Sequence, residues 1–308
     1  VKPRSIVFDL FGDYLRYAGG EVRLRALTEL LECFGVGEAT VRVVMARLRK
    51  EGWFDTRREG RETVYSLNAR SWQLLDEGRS RIFDRSRGQW NGEWQMVIYT
   101  VAESDRAVRD RIRKELAWLG FGPLAASTWL SPHDRRAEVE EWFTGEPAMR
   151  LDVLTCRSAG LRVDREMAAR CWDLDSLDRD YRELLRRYQP RLHGYRAGRH
   201  SPREAVVERT RLVYDYRKFP FRDPDLPLEL LPAGWVGRQA HELFLEAHEA
   251  LREPAEAFVS EVAGAPLEHA PDDDTHSVTG QAGRWTRAGS GRRTRGPWLV
   301  AVDDEPAG

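Results

Sequence analysis

Cysteine, lysine and long apolar runs are all scarce in this 308-residue chain. The three cysteines, Cys33, Cys156 and Cys171, stand far apart with no CxxC pair, which excludes a disulfide framework and a structural zinc site. A reducing, cytoplasmic setting is expected. No run approaches the roughly 18 to 20 consecutive apolar residues that span a bilayer, and Val1-Lys2-Pro3-Arg4 opens a short amphipathic segment. Neither a membrane span nor a signal peptide is therefore expected. Net charge is nearly absent too: 49 Lys+Arg stand against 50 Asp+Glu. That excludes a uniformly basic nucleic-acid binder and leaves such a role to a local patch.

Most catalytic signatures are missing as well. The chain has no P-loop, no GxGxxG after a strand, no GxSxG and no reactive-cysteine context. His241-Glu242-Leu243-Phe244-Leu245 begins like a zinc HExxH motif but has Leu where the second His must share the metal. His241 and His248, seven apart, read as part of a solvated amphipathic helix. Asp272-Asp273-Asp274 and Glu138-Glu140-Glu141 are charge runs with nothing to raise a carboxyl pKa. Neither a catalytic residue nor a resident metal or cofactor is expected, and the chain reads as a non-enzyme.

What is present is a basic patch in a recognisable order of elements. Residues 39–70 carry Arg42, Arg47, Arg49, Lys50, Arg57, Arg58, Arg61 and Arg70 against only Glu51, Asp55, Glu59 and Glu62. Lysine occurs only at Lys2, Lys50, Lys114 and Lys218, and arginine is abundant everywhere, so composition alone does not point to DNA. Order does. Amphipathic segments Arg4 to Tyr17, Leu24 to Phe34 and Glu38 to Lys50 are divided by Gly19-Gly20 and Gly35-Val36-Gly37. Strand-like Trp53 to Arg58 and Thr63 to Leu67 follow, joined by a turn at Glu59-Gly60-Arg61-Glu62. A helix from Leu74 to Arg87 comes next, after Asn68 as an N-cap.

Three helices followed by a hairpin is the order of a winged helix-turn-helix, which is the expected fold of this segment. Projected at about 100° per residue, Val41, Val44, Met45 and Leu48 share one stripe of the third helix. Thr40, Arg42, Val43, Ala46, Arg47, Arg49 and Lys50 take the other side, where a major groove would lie.

A second unit begins near Trp90. Trp94 to Val101 is apolar on both faces, as in a central strand, and Val108, Ile112, Leu116 and Leu119 stripe the helix after it. A strand at Ala125 to Leu130, a helix at Arg135 to Trp142 and a strand at Arg150 to Cys156 complete a small α+β sandwich. Arg106, Arg109, Arg113 and Lys114 give its first helix a basic face. From 159 the chain reads as helical, with Asp175 to Tyr188, Pro202 to Tyr216 and Gly237 to Glu261 as helices around a proline-punctuated Phe219 to Pro232. Beyond Gly264 the composition fits a disordered tail. The expected division is thus 1–89, 90–158, 159–264 and a tail at 265–308. Among eleven tryptophans, those in the middle of the chain could stack on an aromatic ligand or fill a core.

From about Arg4 to Leu245 the sequence resembles the PaaX-like transcriptional regulators, a family named for the repressor of phenylacetate catabolism. The likeness rests on Glu51-Gly52-Trp53, Gly60-Arg61, Tyr65-Ser66-Leu67, Trp90-Asn91-Gly92-Glu93-Trp94, Gly120-Phe121-Gly122, Trp172-Asp173-Leu174, Arg217-Lys218-Phe219-Pro220, Asp223-Pro224-Asp225-Leu226-Pro227 and Trp235-Val236-Gly237, in that order.

The resemblance implies an α+β multidomain protein. It has a winged helix-turn-helix, a middle ferredoxin-like domain similar to the CRISPR-adaptation nucleases, and a helical C-terminal domain. It further implies a homodimer that represses transcription from a palindromic operator on double-stranded DNA and is released by an aryl-acyl-CoA such as phenylacetyl-CoA. Thr40, Arg42, Val43, Ala46 and Arg47 are expected at base edges, and Arg49, Lys50, Arg57, Arg58 and Arg61 at phosphates. Trp118, Trp129, Trp172, Tyr214 and Arg217 are the candidate effector-binding residues, placed between the middle and C-terminal domains. The competing expectation is a metal-dependent nuclease, which in the similar enzymes needs an Asp after a Tyr at the end of the first strand. Here the pair is Tyr99-Thr100, and a hydroxyl is a poor ligand for Mg²⁺.

Overall fold

In the computed structural model, residues 1–85, 89–102, 104–143 and 149–269 are described. They form a mixed α+β chain with eleven α-helices and two small sheets. The chain divides into two compact units that are not successive stretches of sequence. Of the described residues, one holds those in 1–84, 183–218 and 239–269; the other holds those in 85–182 and 219–238. The C-terminal third, expected as one domain, contributes to both.

In the first unit, α1 (Pro3–Asp13) buries nearly every side chain from Ser5 to Phe11. A 3-10 turn (Leu15–Ala18) leads to β1 (Glu21–Arg23), then α2 (Leu24–Glu32) and α3 (Glu38–Lys50). The hairpin β2 (Phe54–Glu59) and β3 (Glu62–Leu67) follows, then α4 (Ala69–Phe83). The hairpin closes through Gly60-Arg61, with Glu59 opposite Glu62. Gly60 has φ of 61°, a left-handed conformation that such a two-residue turn demands and glycine allows. Strand β1 was not expected. Its three residues follow Gly19-Gly20 and pair antiparallel with β3, giving the order β1-β3-β2. So short a run has too little alternation to be read from sequence. The Asn68 side chain caps α4, accepting from the Ser71 amide at 3.1 Å, so the helix starts at Ala69 rather than Leu74. It ends at Phe83, where Asp84 turns extended, short of the expected Arg87. Phe8 meets Trp53 edge-on at 5.5 Å and Phe11 lies 4.7 Å from Phe54, joining α1 to the root of the hairpin.

The same unit contains the end of α8 (Leu174–Arg196), α9 (Pro202–Tyr216), most of α10 (Gly237–Ala250) and α11 (Arg252–Ala263). Helix α8 runs on through Pro190, beyond the expected end at Tyr188. Tertiary anchoring outweighs the lost hydrogen bond: the Tyr188 and Tyr195 hydroxyls donate to Asp215 and Glu208 of α9 at 2.8 and 2.7 Å. The single helix expected from Gly237 to Glu261 is two, broken at Leu251. Pro254 has no N–H for the Ala250 carbonyl and its ring crowds that oxygen, so the ladder cannot cross this point. Ser201 and Glu204 form a capping box at the start of α9. Helix α9 packs on α1 and α11, and α11 packs on α2. Residues 265–269, expected as tail, are held as well. Glu268 N–H donates to Tyr17 O at 2.8 Å and the His269 ring lies 4.0 Å from that of Tyr17. The rest of the expected tail, from 270, lies outside the described residues.

The second unit follows the order β4 (Trp94–Val101), α5 (Arg106–Trp118), β5 (Gly122–Ala125), β6 (Thr128–Ser131), α6 (Arg136–Phe143) and β7 (Met149–Cys156). Its sheet is antiparallel with order β5-β6-β4-β7. The strand expected at Ala125 to Leu130 is the hairpin β5-β6. Pro123 is tolerated because β5 is an edge strand, and it hid the strand for the same reason. Val97 and Tyr99 face a core of α5 and α6 residues (Ile112, Leu116, Val139, Phe143), while Trp94 and Leu130 face a second cluster with Ala168, Cys171, Leu174, Leu226 and Leu230. Burial on both faces accounts for the apolar run of β4. The second cluster brings in α7 (Leu161–Cys171) and the proline-punctuated segment. That segment is pinned by Asp223, which accepts from Arg85 at 2.9 Å, Tyr181 at 2.7 Å and the Asp225 amide at 2.9 Å.

Gly122 marks a tight approach. A Cβ there would stand 2.5 Å from the Trp172 ring and 2.7 Å from the Cys171 Cβ. Gly122→Ala is expected to destabilise this unit by about 1 to 3 kcal/mol, through overpacking rather than backbone strain. Thermal unfolding of the variant checks this, and an unchanged midpoint would mean that Trp172 can move aside.

Candidate nucleic-acid interface

Helix α3 separates its residues as the projection anticipates. Val41, Met45 and Leu48 are buried, whereas Thr40, Arg42, Val43, Ala46, Arg47, Arg49 and Lys50 are all exposed. Arg57, Arg58 and Arg61 are exposed on the hairpin that follows. Each α3 residue expected at DNA therefore lies on one outward surface of one helix.

The charges on this surface fall into two groups. Arg42 bonds Glu38 one turn back at 2.5 Å, Arg47 bonds Glu51 at 2.9 Å, and Arg57 bonds Glu21 at 2.7 Å. Burial pushes the Glu51 carboxyl up, but hydrogen bonds from Arg4 and Arg47 outweigh it and hold it below its ordinary range. Arg58 donates to the Arg61 carbonyl at 3.2 Å, across the turn. Arg49, Lys50 and Arg61 have no ion pair among the described residues. The paired arginines are presented in fixed orientations at little energetic cost, since exposed pairs are worth well under about 1 kcal/mol and yield readily to a phosphate or a base.

Beneath the surface lies a buried polar cluster that the sequence reading missed. Asp9 of α1 pairs with Arg217 at 2.5 Å. Asp13, one turn on, lies 3.1 Å from Arg209 of α9 and 2.8 Å from His248 Nε2 of α10. His241 Nδ1 meets the Tyr216 hydroxyl at 2.8 Å. Both histidines are buried, so the expectation of a solvated helix face is corrected. They point inward, where His241 meets Tyr216 of α9, and His248 meets Arg209 of α9 and Asp13 of α1. The geometry assigns the His248 tautomer: Nε2–H donates to Asp13, and Nδ1 accepts from Arg209 at 3.4 Å. Burial and the Arg209 charge lower the His248 pKa, which favours this neutral form.

Burial raises the Asp13 carboxyl, but Arg209 and His248 outweigh it and hold it at about 2, below the ordinary 3.8. A depressed carboxyl contributes stability above its unfolded pKa and loses it as acid is added. The contribution, about 2 kcal/mol, should therefore vanish between about pH 4 and pH 2. Urea midpoints measured across that window should fall in the parent and run flatter in Asp13→Asn. An acid limb of equal slope in both would place the loss elsewhere.

The five candidate effector residues divide between the two compact units, Trp118, Trp129 and Trp172 in one and Tyr214 and Arg217 in the other. Trp129 is buried in the cluster on one face of the sheet, with Val97 and Ile112, whereas Trp172 packs with Trp94 on the other. Trp118 stacks on Phe221 at 5.5 Å. In the other unit, Tyr214 lies under the Arg217 guanidinium at 5.0 Å, and Arg217 is 1% exposed and paired with Asp9. Trp129 and Trp172 thus contribute to the two clusters of the sheet, and Arg217 to a buried ion pair. Tyr99 is buried in β4 and Thr100 is exposed beside it. Among the described residues, no group of three His, Cys, Asp or Glu is placed to hold a metal ion. No helix among them is long and apolar enough to cross a membrane.

Three family models match in succession: PaaX-like protein over residues 2–71, the PaaX protein central Cas2-like domain over 87–168, and the PaaX-like protein C-terminal domain over 172–261. The chain is 33% identical over 269 residues to the transcriptional repressor PaaX of Escherichia coli strain K12, covering 85% of this chain and 84% of that protein. The chain belongs to the PaaX-like family. Its middle domain is accordingly Cas2-like. An uncharacterized protein from Mycobacterium tuberculosis shares the fold, with a TM-score of 0.54 and 24% identity over 75% of this chain and 89% of that one. The family's C-terminal model spans residues of both compact units, so the order of domains along the chain is not the order of packing.

Proposed function

We propose that the chain is a DNA-binding transcriptional repressor whose N-terminal 89 residues act as a winged helix-turn-helix, with α3 in the major groove and the β2-β3 hairpin as the wing. The observation that carries this reading is the two-sidedness of α3. Its apolar stripe is consumed in the core, its outer surface carries Arg42, Arg47, Arg49 and Lys50, and the hairpin that follows exposes Arg57, Arg58 and Arg61. The name of the 33%-identical relative supports repression as the outcome.

In this reading the protein acts as a cytoplasmic homodimer on a palindromic operator, and the order β5-β6-β4-β7 within βαββαβ supports a ferredoxin-like middle domain. An acyl-CoA of the phenylacetyl-CoA kind serves as the releasing effector. The support for dimer and effector is family membership. Selection from a randomised duplex library tests the reading, with a two-fold symmetric recovered motif as the expected result. Recovery of no enriched sequence from the full chain would contradict it.

A further inference from the structure

Val43 is out of place on a surface built for phosphates. It is 69% exposed in the middle of α3, among few large apolar side chains so exposed in the described residues. At about 100° per residue, Ala39, Val43, Ala46 and Lys50 fall within about 60° of one another, opposite Val41, Met45 and Leu48. Ala39 and Ala46 are exposed too. The crest of the helix farthest from the core is thus a short apolar ridge, Ala39, Val43 and Ala46, that ends at Lys50. Thr40 and Arg47 flank it on one side, Arg42 and Arg49 on the other. Two alanines, one turn to either side of Val43, keep the ridge low, so the backbone can approach a groove floor closely while the longer flanking arginines reach past it.

On the reading that α3 enters the major groove, we propose that Val43 reads the C5-methyl group of a thymine and so sets base preference at one position of each half-site. The thymine methyl is the one apolar group that base edges present there, which makes it the chemical match for a branched apolar side chain held at the helix crest. Phosphates and polar base edges offer Val43 nothing. The flanking Arg42 and Arg47 would take hydrogen-bonding edges of adjacent bases, so the ridge contributes discrimination that no charged neighbour can supply.

The test replaces each thymine of a library-selected site, one at a time, with deoxyuridine, which removes only the methyl group. Wild-type binding should weaken about 3- to 4-fold at one thymine per half-site, the value of one buried methyl. Val43→Ala should bind the thymine and uracil duplexes equally while still preferring the selected site to a scrambled one. Alanine is the better helix former, so the variant should fold at least as well as the parent. Selective binding that ignores every uracil overturns the inference but leaves the repressor reading standing. Uracil sensitivity that persists in Val43→Ala overturns it by assigning the methyl to another side chain. Indifference to uracil, combined with altered self-association of Val43→Ala, would assign the ridge to a protein contact instead. Failure to recover any selected site would remove the repressor reading, and this one with it.

Discussion

Arg217→Ala is expected to destabilise the protein by about 3 to 5 kcal/mol, the cost of leaving one member of a buried ion pair alone. Arg217 and Asp9 are both buried and meet at 2.5 Å, joining the start of the chain to the end of α9. Burial pushes the Asp9 carboxyl up to about 7 against the opposing pull of Arg217. Without the guanidinium that pull is gone, and Asp9 can be accommodated only by taking up a proton. The destabilisation should therefore be greatest above neutral pH and shrink as the pH is lowered. Urea unfolding at a mildly alkaline and a mildly acidic pH reads both features. A loss below about 1 kcal/mol at the higher pH, as for an exposed pair, would contradict the buried-pair account. Replacing both partners by apolar residues of similar size should recover most of the stability.

The second large effect separates base contacts from phosphate contacts. Arg42→Ala should relax preference at one operator position, at a cost of about 1 to 3 kcal/mol on the selected site and little on random DNA. Arg61→Ala should weaken binding to all sequences alike and flatten the salt slope by about one unit. Their surroundings agree with this division. Arg42 extends from α3 with its guanidinium already oriented by Glu38, whereas Arg61 sits at the tip of the hairpin turn with no ion pair among the described residues. Affinities at two salt concentrations on both duplexes distinguish the two. Equal losses on specific and random DNA from Arg42→Ala would make it a phosphate contact.

The outward surface of α3 was legible because helical periodicity is a local signal, and Glu38–Lys50 has the expected bounds. The same holds for the β2-β3 hairpin, whose Gly60 turn is written in four residues. What escaped was non-local. Strand β1 exists because β3 offers it a partner, and α8 passes Pro190 because Tyr188 and Tyr195 are anchored on α9. The buried cluster left only a faint trace: Asp9 and Asp13 are one turn apart in a mostly apolar helix, and each meets a cation from far along the chain. Nothing marked Arg209 out among the many arginines of the sequence, His248 was read on a solvated helix face, and Arg217 was expected at an effector. The aromatic content of the middle of the chain was ambiguous between core and ligand site, and a sheet buried on both faces absorbs Trp94, Trp129 and Trp172.

That α3 reads DNA is tested most directly by titrating the full chain onto the DNA upstream of its own gene and onto a scrambled duplex, at two salt concentrations, with and without phenylacetyl-CoA. The account predicts selective binding that weakens steeply with salt and is reversed by the thioester. Equal affinity for both duplexes, or no binding to either, would contradict it.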